Sequence, residues 1–276
     1  MTGLNHDFHV DKLHVKAYQT REQMGRAAGL AAAEAITKAI ARQGSARVIF
    51  AAAPSQNETL ATLTADTSVD WSKVTAFHMD EYIGLPADAP QRFSRYLKER
   101  VFDRVPQIAG CNVPFTAVHL LGGSIATCNP GRSPESECES YANLLAEKPI
   151  DVVCLGIGEN GHIAFNDPPV ADFADPQLVK IVTLDLPCRQ QQVNDGCFPN
   201  IDAVPKTAVT LTIPALMRGA TLICSVPGPT KREAVRATLH DEISTRCPAT
   251  ILRKHEDCTL FLDVDSFPGE LLPPNP

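Results

Sequence analysis

The chain has 276 residues, 44% hydrophobic and 21% charged, values typical of a globular protein with a sizeable core. A net charge of −7 argues against broad nucleic-acid binding, and no apolar run reaches the ~18 residues of a membrane span. The amino terminus lacks the basic and apolar regions of a signal peptide, so the expected location is the cytoplasm. Nine cysteines, an odd number without a CxxC pair, are expected to be buried free thiols rather than disulfides or zinc ligands.

Strands and helices alternate, as an α/β sheet requires. Residues 1–10 are expected to be loose. Leu13 to Tyr18 is predicted as the first strand. Thr20 and Gln23 form a capping box before an alanine-rich helix to about Arg42. Ala46 to Ala52 is a second strand, and Ser55 with Glu58 suggests another capping box, opening a helix to about Thr64. Val74 to Met79 is a third strand and Gln91 to Phe102 a helix, followed by a less regular region. A helix from about Glu135 to Ala146 then leads to a buried strand, Ile150 to Leu155. Further on, Val179 to Leu184 and Ala208 to Leu211 are strand-like, and a short helix follows Pro214. Ala220 to Val226 is a strand, Thr230 to Leu239 a helix, and Thr259 to Val264 the last strand. The proline-rich tail from Pro268 is expected to fray. No repeat or linker divides the chain, so a single domain is predicted.

Four strand ends carry chemistry. Ala51 to Glu58 is a strand feeding a helix amino terminus, where free amides and the Ser55 hydroxyl can hold an anion over Pro54 to Gln56. Ser55 could equally be only a helix cap. Asp80 and Glu81 follow an apolar strand; a partly buried carboxylate there can be a general base, and strand alternation turns only one of the two toward a given cleft. Solvated strand-end acids are the plainer alternative.

The segment Gly156 to Pro169, GIGENGHIAFNDPP, cannot be helical through its prolines. It is a loop at the carboxyl end of a strand, where open α/β sheets place their ligands. His162 in it can shuttle a proton, and Asn160 and Asp167 can fix its tautomer. The alternative is a tight loop bonded to its own backbone. Lys231 opens a helix, where a cation opposes the helix dipole unless an anion binds between them; Arg189 is a weaker candidate of that kind. Gly156, Gly158 and Gly161 also match a dinucleotide fingerprint, with Asp185 in the place of its acidic residue, but that motif needs a helix opening at the third glycine.

Two of these segments, FHMDEYIGL and GIGENGHIAFNDP, closely resemble the signatures of glucosamine-6-phosphate deaminases (isomerases), and the resemblance runs from about Lys12 to Asp263. It implies a Rossmann-like α/β fold, a mostly parallel sheet with helices on both faces, and a reaction without cofactor or metal. The implied substrate is a small amino sugar phosphate, converted to fructose 6-phosphate and ammonia. By motif position His162 would assist ring opening, with Asn160 and Asp167 positioning it, and Asp80 would move a proton between the first two sugar carbons. Ala52, Ala53, Pro54, Ser55 and Gln56 would cradle the phosphate with Arg189 and Lys231, while Glu81 and Gly161 would also contact substrate. The family includes monomers and ring-shaped oligomers, so a homo-oligomer is one expected state. The related 6-phosphogluconolactonases share the fold and a glycine–histidine loop; lactonase-type hydrolysis and a sugar-phosphate-binding regulator are the alternatives. Three positions depart from the family pattern: Pro54 replaces a glycine of the phosphate loop, Asn160 stands where many members have aspartate, and Asp167 is one methylene shorter than the usual glutamate.

Overall fold

The computed structural model describes residues 3–105, 115–121 and 133–269. Its centre is an eight-stranded sheet in the order β1-β2-β11-β10-β7-β3-β4-β6. In that order the strands are Leu4–Val10, Leu13–Tyr18, Cys258–Asp263, Thr221–Val226, Val152–Leu155, Ala46–Phe50, Val74–His78 and Ala117–His119. All neighbours pair in parallel except β1, which is antiparallel to β2.

The central strands are short apolar runs because both their faces are covered. Val153 and Leu155 point into one core with Leu222, Cys224, Leu260 and Leu262. Their alternates Val152 and Cys154 point into the other with Val48, Phe50, Ile223 and Phe261. Helices α1 (Arg21–Gln43) and α2 (Asn57–Ala65) cover the second core, and α4 (Pro134–Ala146) and α7 (Arg232–His240) cover the first. The mostly parallel α/β expectation holds.

Several boundaries move for identifiable reasons. The amino-terminal segment expected to be loose contains the edge strand β1, whose alternate residues His6, Phe8 and Val10 are half-buried and whose His6 ring stacks on Phe267 at 4.5 Å. Thr20 caps α1 as expected, accepting from the Gln23 amide at 3.3 Å. Ser55 does not cap α2: Pro54 starts a 3₁₀ turn, Pro54–Gln56, α2 begins at Asn57 without a side-chain cap, and Glu58 pairs with Arg21 at 2.9 Å. The helix expected over Gln91 to Phe102 is α3 (Phe93–Leu97) followed by a π-helical turn, Lys98–Phe102. The expected fraying beyond Pro268, and Cys111 and Cys128, lie largely or wholly outside the described residues. Among those described, seven cysteines are free, six of them buried.

A second, three-stranded antiparallel sheet, β5-β9-β8, was not foreseen: Asp80–Tyr82, Thr207–Leu211 and Val179–Thr183. The chain leaves the large sheet at His78 and enters the small one at Asp80. Between them the Met79 carbonyl accepts from the Leu211 amide at 2.7 Å. Helix α5 (Leu186–Asn194), N-capped by Asp185, packs Cys188 against this sheet with Tyr82, Phe165 and Phe198. No helix opens at Gly161, which removes the dinucleotide reading.

From β3 the chain runs outward to β4 and β6, then returns to β7 on the other side of β3 and continues to β10 and β11. That reversal between β3 and β7 is a topological switch point, where an open α/β sheet leaves a crevice outside its strand ends.

Candidate active site

A cleft of about 280 Å³ opens at this switch point. Its walls come from the ends of β3 (Ala51 to Gln56), β7 (Gly156 to Gly158, His162) and β10 (Pro227 to Lys231), with Asp80 from the seam between the sheets and Gln191 and Gln192 from α5.

His162 is fixed by two neighbours. Its Nδ1 lies 2.7 Å from Asn160 Oδ1 and 2.8 Å from Asp167 Oδ1. Both are acceptors, so that network assigns the proton of the neutral ring to Nδ1 and leaves Nε2 as the basic nitrogen. Asn160 in turn donates Nδ2–H to Asp167 Oδ1 at 2.9 Å and accepts from the His162 amide at 3.1 Å. Burial pushes the Asp167 carboxyl up. The nearby His162, with hydrogen bonds from His162, Asn160 and Cys188, outweighs that and holds it below the usual carboxylate range. The negative charge that steadies the imidazole therefore sits on Asp167, with Asn160 as a neutral clamp.

Two glycines make this arrangement possible. A Cβ on Gly158 would lie 2.1 Å from His162 Cε1. Gly161 has φ +82°, and a Cβ there would also strike Cys247 Sγ at 2.5 Å. Buried Asn166 ties the loop to the small sheet, donating to the Ile163 and Leu211 carbonyls at 2.9 and 2.8 Å.

Asp80 lines the cleft. Burial first, then the charges of Glu81 and Asp167, push its carboxyl well above the ordinary value of 3.8. As alternation predicts, Glu81 faces away. It does not line the cleft; its oxygens accept from the Tyr82, Phe93 and Ser94 amides at 3.0, 3.2 and 2.9 Å, and Arg92 lies 3.4 Å away.

At the other end, the turn Ala52, Ala53, Pro54, Ser55 and Gln56 faces Gly228 to Lys231. Lys231 is 6% exposed and makes no ion pair with a described residue. Burial lowers its pKa, partly offset by the more distant Asp195 and Glu159. A buried cation facing a cleft beside a helix amino terminus is suited to an anion. Gly161 lies behind the wall, in contact with Cys247 and Ala249.

Arg189 is not on the cleft wall; its guanidinium donates to the Ile201 and Val204 carbonyls at 2.5 and 3.1 Å. The residues that the sequence did not reveal are Arg21, Gln191 and Gln192, all on the cleft. Each belongs to a helix whose approach to the cleft depends on tertiary packing, so no local pattern marks it. His162, Asp167 and Cys188 offer metal-ligand atoms within 4.8 Å of one another, the one such group among the described residues. Asp167 there is already bonded to the imidazole and to Asn160.

Fold and cleft together define an α/β protein with a cleft at the carboxyl ends of a mostly parallel sheet. The chain belongs to the family of glucosamine-6-phosphate isomerases/6-phosphogluconolactonase, whose family model matches residues 19–261. A glucosamine-6-phosphate deaminase of Shouchella clausii is 30% identical over 258 residues, 92% of this chain and 95% of that protein. One from Bacillus cytotoxicus is 32% identical over 199 residues, 72% and 69% of the two chains. A solved monomeric glucosamine-6-phosphate deaminase superposes with a TM-score of 0.77 at 28% identity, over 91% of this chain and 98% of that one. A 6-phosphogluconolactonase from Shewanella baltica shares the fold at a TM-score of 0.70 and 18% identity, over 93% and 100% of the two chains. No helix among the described residues is long and apolar enough to cross a membrane.

Proposed function

We propose that this protein is an amino-sugar-phosphate deaminase acting on glucosamine 6-phosphate, releasing fructose 6-phosphate and ammonia. The observation that carries this reading is a raised-pKa carboxylate, Asp80, in one cleft with a tautomer-fixed imidazole, His162, and an unpaired buried lysine, Lys231. Lys231 and the 52–56 turn hold the phosphate and so place the sugar's first carbons toward the acid–base groups.

His162 Nε2 moves the proton between the anomeric hydroxyl and the ring oxygen, giving the open aldehyde. Asp80 then takes the proton from C2, the electron pair forms the C1–C2 double bond, and the substrate ammonium passes a proton to the C1 oxygen, giving an enol that bears a neutral amine. Returning that proton to C1 gives the C2 iminium. Water adds to C2, one of its protons passes to nitrogen and the other to solvent, and the C–N bond breaks with its electron pair going to nitrogen, releasing ammonia and the C2 ketone. A carboxylate whose pKa is pushed upward is a stronger base and is suited to removing a carbon-bound proton.

Ammonia release from glucosamine 6-phosphate, measured beside the Asp80→Asn variant, tests the reading. Release that depends on Asp80 is expected. Hydrolysis of 6-phosphogluconolactone above its spontaneous rate, without ammonia release, would replace the deaminase by a lactonase. Ligand binding without either reaction would mark a regulator.

A further inference from the structure

Pro54 lacks the N–H that a glycine would offer to a phosphate at this turn. The arginine expected from the motif lies off the cleft wall, where Arg189 Nη2 donates to both the Ile201 and Val204 carbonyls and its buried Nε has no partner among the described residues. A different arginine stands at the Pro54 turn. Arg21 is the first residue of α1 and lines the cleft with Ser55 and Lys231. Its Nη2 donates to the Pro54 carbonyl at 2.6 Å, and its Nε lies 2.9 Å from Glu58 Oε1. Nη1 makes no hydrogen bond to a described residue, and the side chain is 37% exposed. The guanidinium is thus pinned to the proline that removed the backbone donor, with N–H groups left to give.

Resting on the sugar-phosphate reading above, we propose that Arg21 is a phosphate-binding residue of this cleft, supplying with Lys231 the donors that Pro54 took away, and that Arg189 is a loop anchor. A guanidinium presents donors in a fixed fork that suits two phosphate oxygens, and Lys231 adds a point charge from the opposite wall. Glu58 balances Arg21 while the cleft is empty. The Pro54 carbonyl holds one end of the Arg21 guanidinium at the turn.

The test is calorimetric titration of inorganic phosphate into the full chain and its variants, with KM and kcat for glucosamine 6-phosphate measured alongside. In Arg21→Ala the phosphate Kd and the KM are expected to rise roughly 10- to 100-fold while kcat stays within about threefold, as for loss of a charged hydrogen bond made equally before and during reaction. Arg21→Lys should recover part of the affinity, and guanidinium ion should restore part of it to Arg21→Ala. Glu58→Ala breaks the ion pair but spares Arg21. It should leave phosphate affinity intact or tighter, whereas a merely structural role for the pair would weaken it as much as Arg21→Ala does. An unchanged phosphate Kd in Arg21→Ala, or a larger loss in a folded Arg189→Ala, would overturn the proposal. Phosphate titration needs no turnover. A protein that binds phosphate through Arg21 and releases no ammonia keeps this proposal and refutes only the deaminase reading. One that releases ammonia with Arg21→Ala unaltered does the reverse.

Discussion

Asp80 sits at the seam between the two sheets, and its burial has opposite consequences for stability and for catalysis. As a base it must be ionised, so the acid limb of kcat/KM should fall above the ordinary carboxylate value of 3.8. For stability, a carboxyl whose native pKa is raised favours the folded state below 3.8, and that contribution is lost as pH rises through the native value. Asp80→Asn should therefore lose roughly 10³-fold in kcat and yet melt higher than the parent at pH 7, the gain shrinking toward pH 4. Melting curves across that range check the sign; a variant less stable at every pH would contradict it. The clamp on His162 gives a second residue-scale expectation. Asn160→Asp restores the commoner family residue but sets a second carboxylate 2.9 Å from Asp167. Like charges that close cannot both ionise cheaply, so this single change should lower activity and melting temperature. Adding Asp167→Glu, which returns the other departure to the family pattern, should recover part of both if the two positions are coupled.

Helix α3 is held by a neighbour rather than by its own sequence. Its N-cap residue, Arg92, contributes no capping bond; Glu81, from the small sheet, accepts from the Phe93 and Ser94 amides. Glu81→Ala would remove the acceptor of those part-buried amides, at a cost of about 1–3 kcal/mol in denaturant unfolding. Glu81→Gln, which keeps an acceptor, should cost less. The same dependence on packing explains what was legible in the sequence. Helix α1 and the central strands were readable because their signals are local: a capping box, or an apolar run between turn residues. The DEY strand is three residues long, and its partner Thr207–Leu211 lies over a hundred residues away, so no periodicity announces a second sheet. The Ser55–Glu58 box fails because Pro54 starts a 3₁₀ turn, and Glu58 turns to Arg21 instead. Of the candidate residues, Asp80, His162, the 52–56 turn and Lys231 come together on one cleft, with Asn160 and Asp167 against His162, and strand ends and glycine-rich loops mark all of them in the sequence. Glu81, Gly161 and Arg189 lie off the cleft wall, since whether a side chain faces the cleft or a backbone carbonyl is settled only by tertiary contacts.

Across the whole molecule, the two cores and the cleft meet at the end of β4, and Tyr141 and His78 hold that junction. The Tyr141 hydroxyl accepts from the His78 amide at 3.0 Å and lies 2.9 and 3.0 Å from the His78 and His119 carbonyls, joining α4 to β4 and β6. The His78 ring is fully buried, and its Nδ1 accepts from the Leu121 amide at 3.2 Å, so the neutral ring carries its proton on Nε2. Burial pushes its pKa down to about 3, with Arg92 adding to the shift. Between the ordinary value of 6.5 and about 3 the unfolded chain binds a proton that the native chain refuses, so stability must fall as the pH falls through that window. The full linkage is on the order of 5 kcal/mol, a large share of a typical domain's stability. Asp167, whose native pKa is lowered, pulls in the same direction at the acid end, while Asp80 opposes it. The protein should therefore lose melting temperature steadily from pH 6.5 to pH 4. His78→Asn, which can still accept from Leu121, should flatten that slope whatever its stability at pH 7. An unchanged slope would mean that the acid sensitivity resides in the carboxylates rather than in this imidazole, and Asp167→Asn would then be the variant that flattens it.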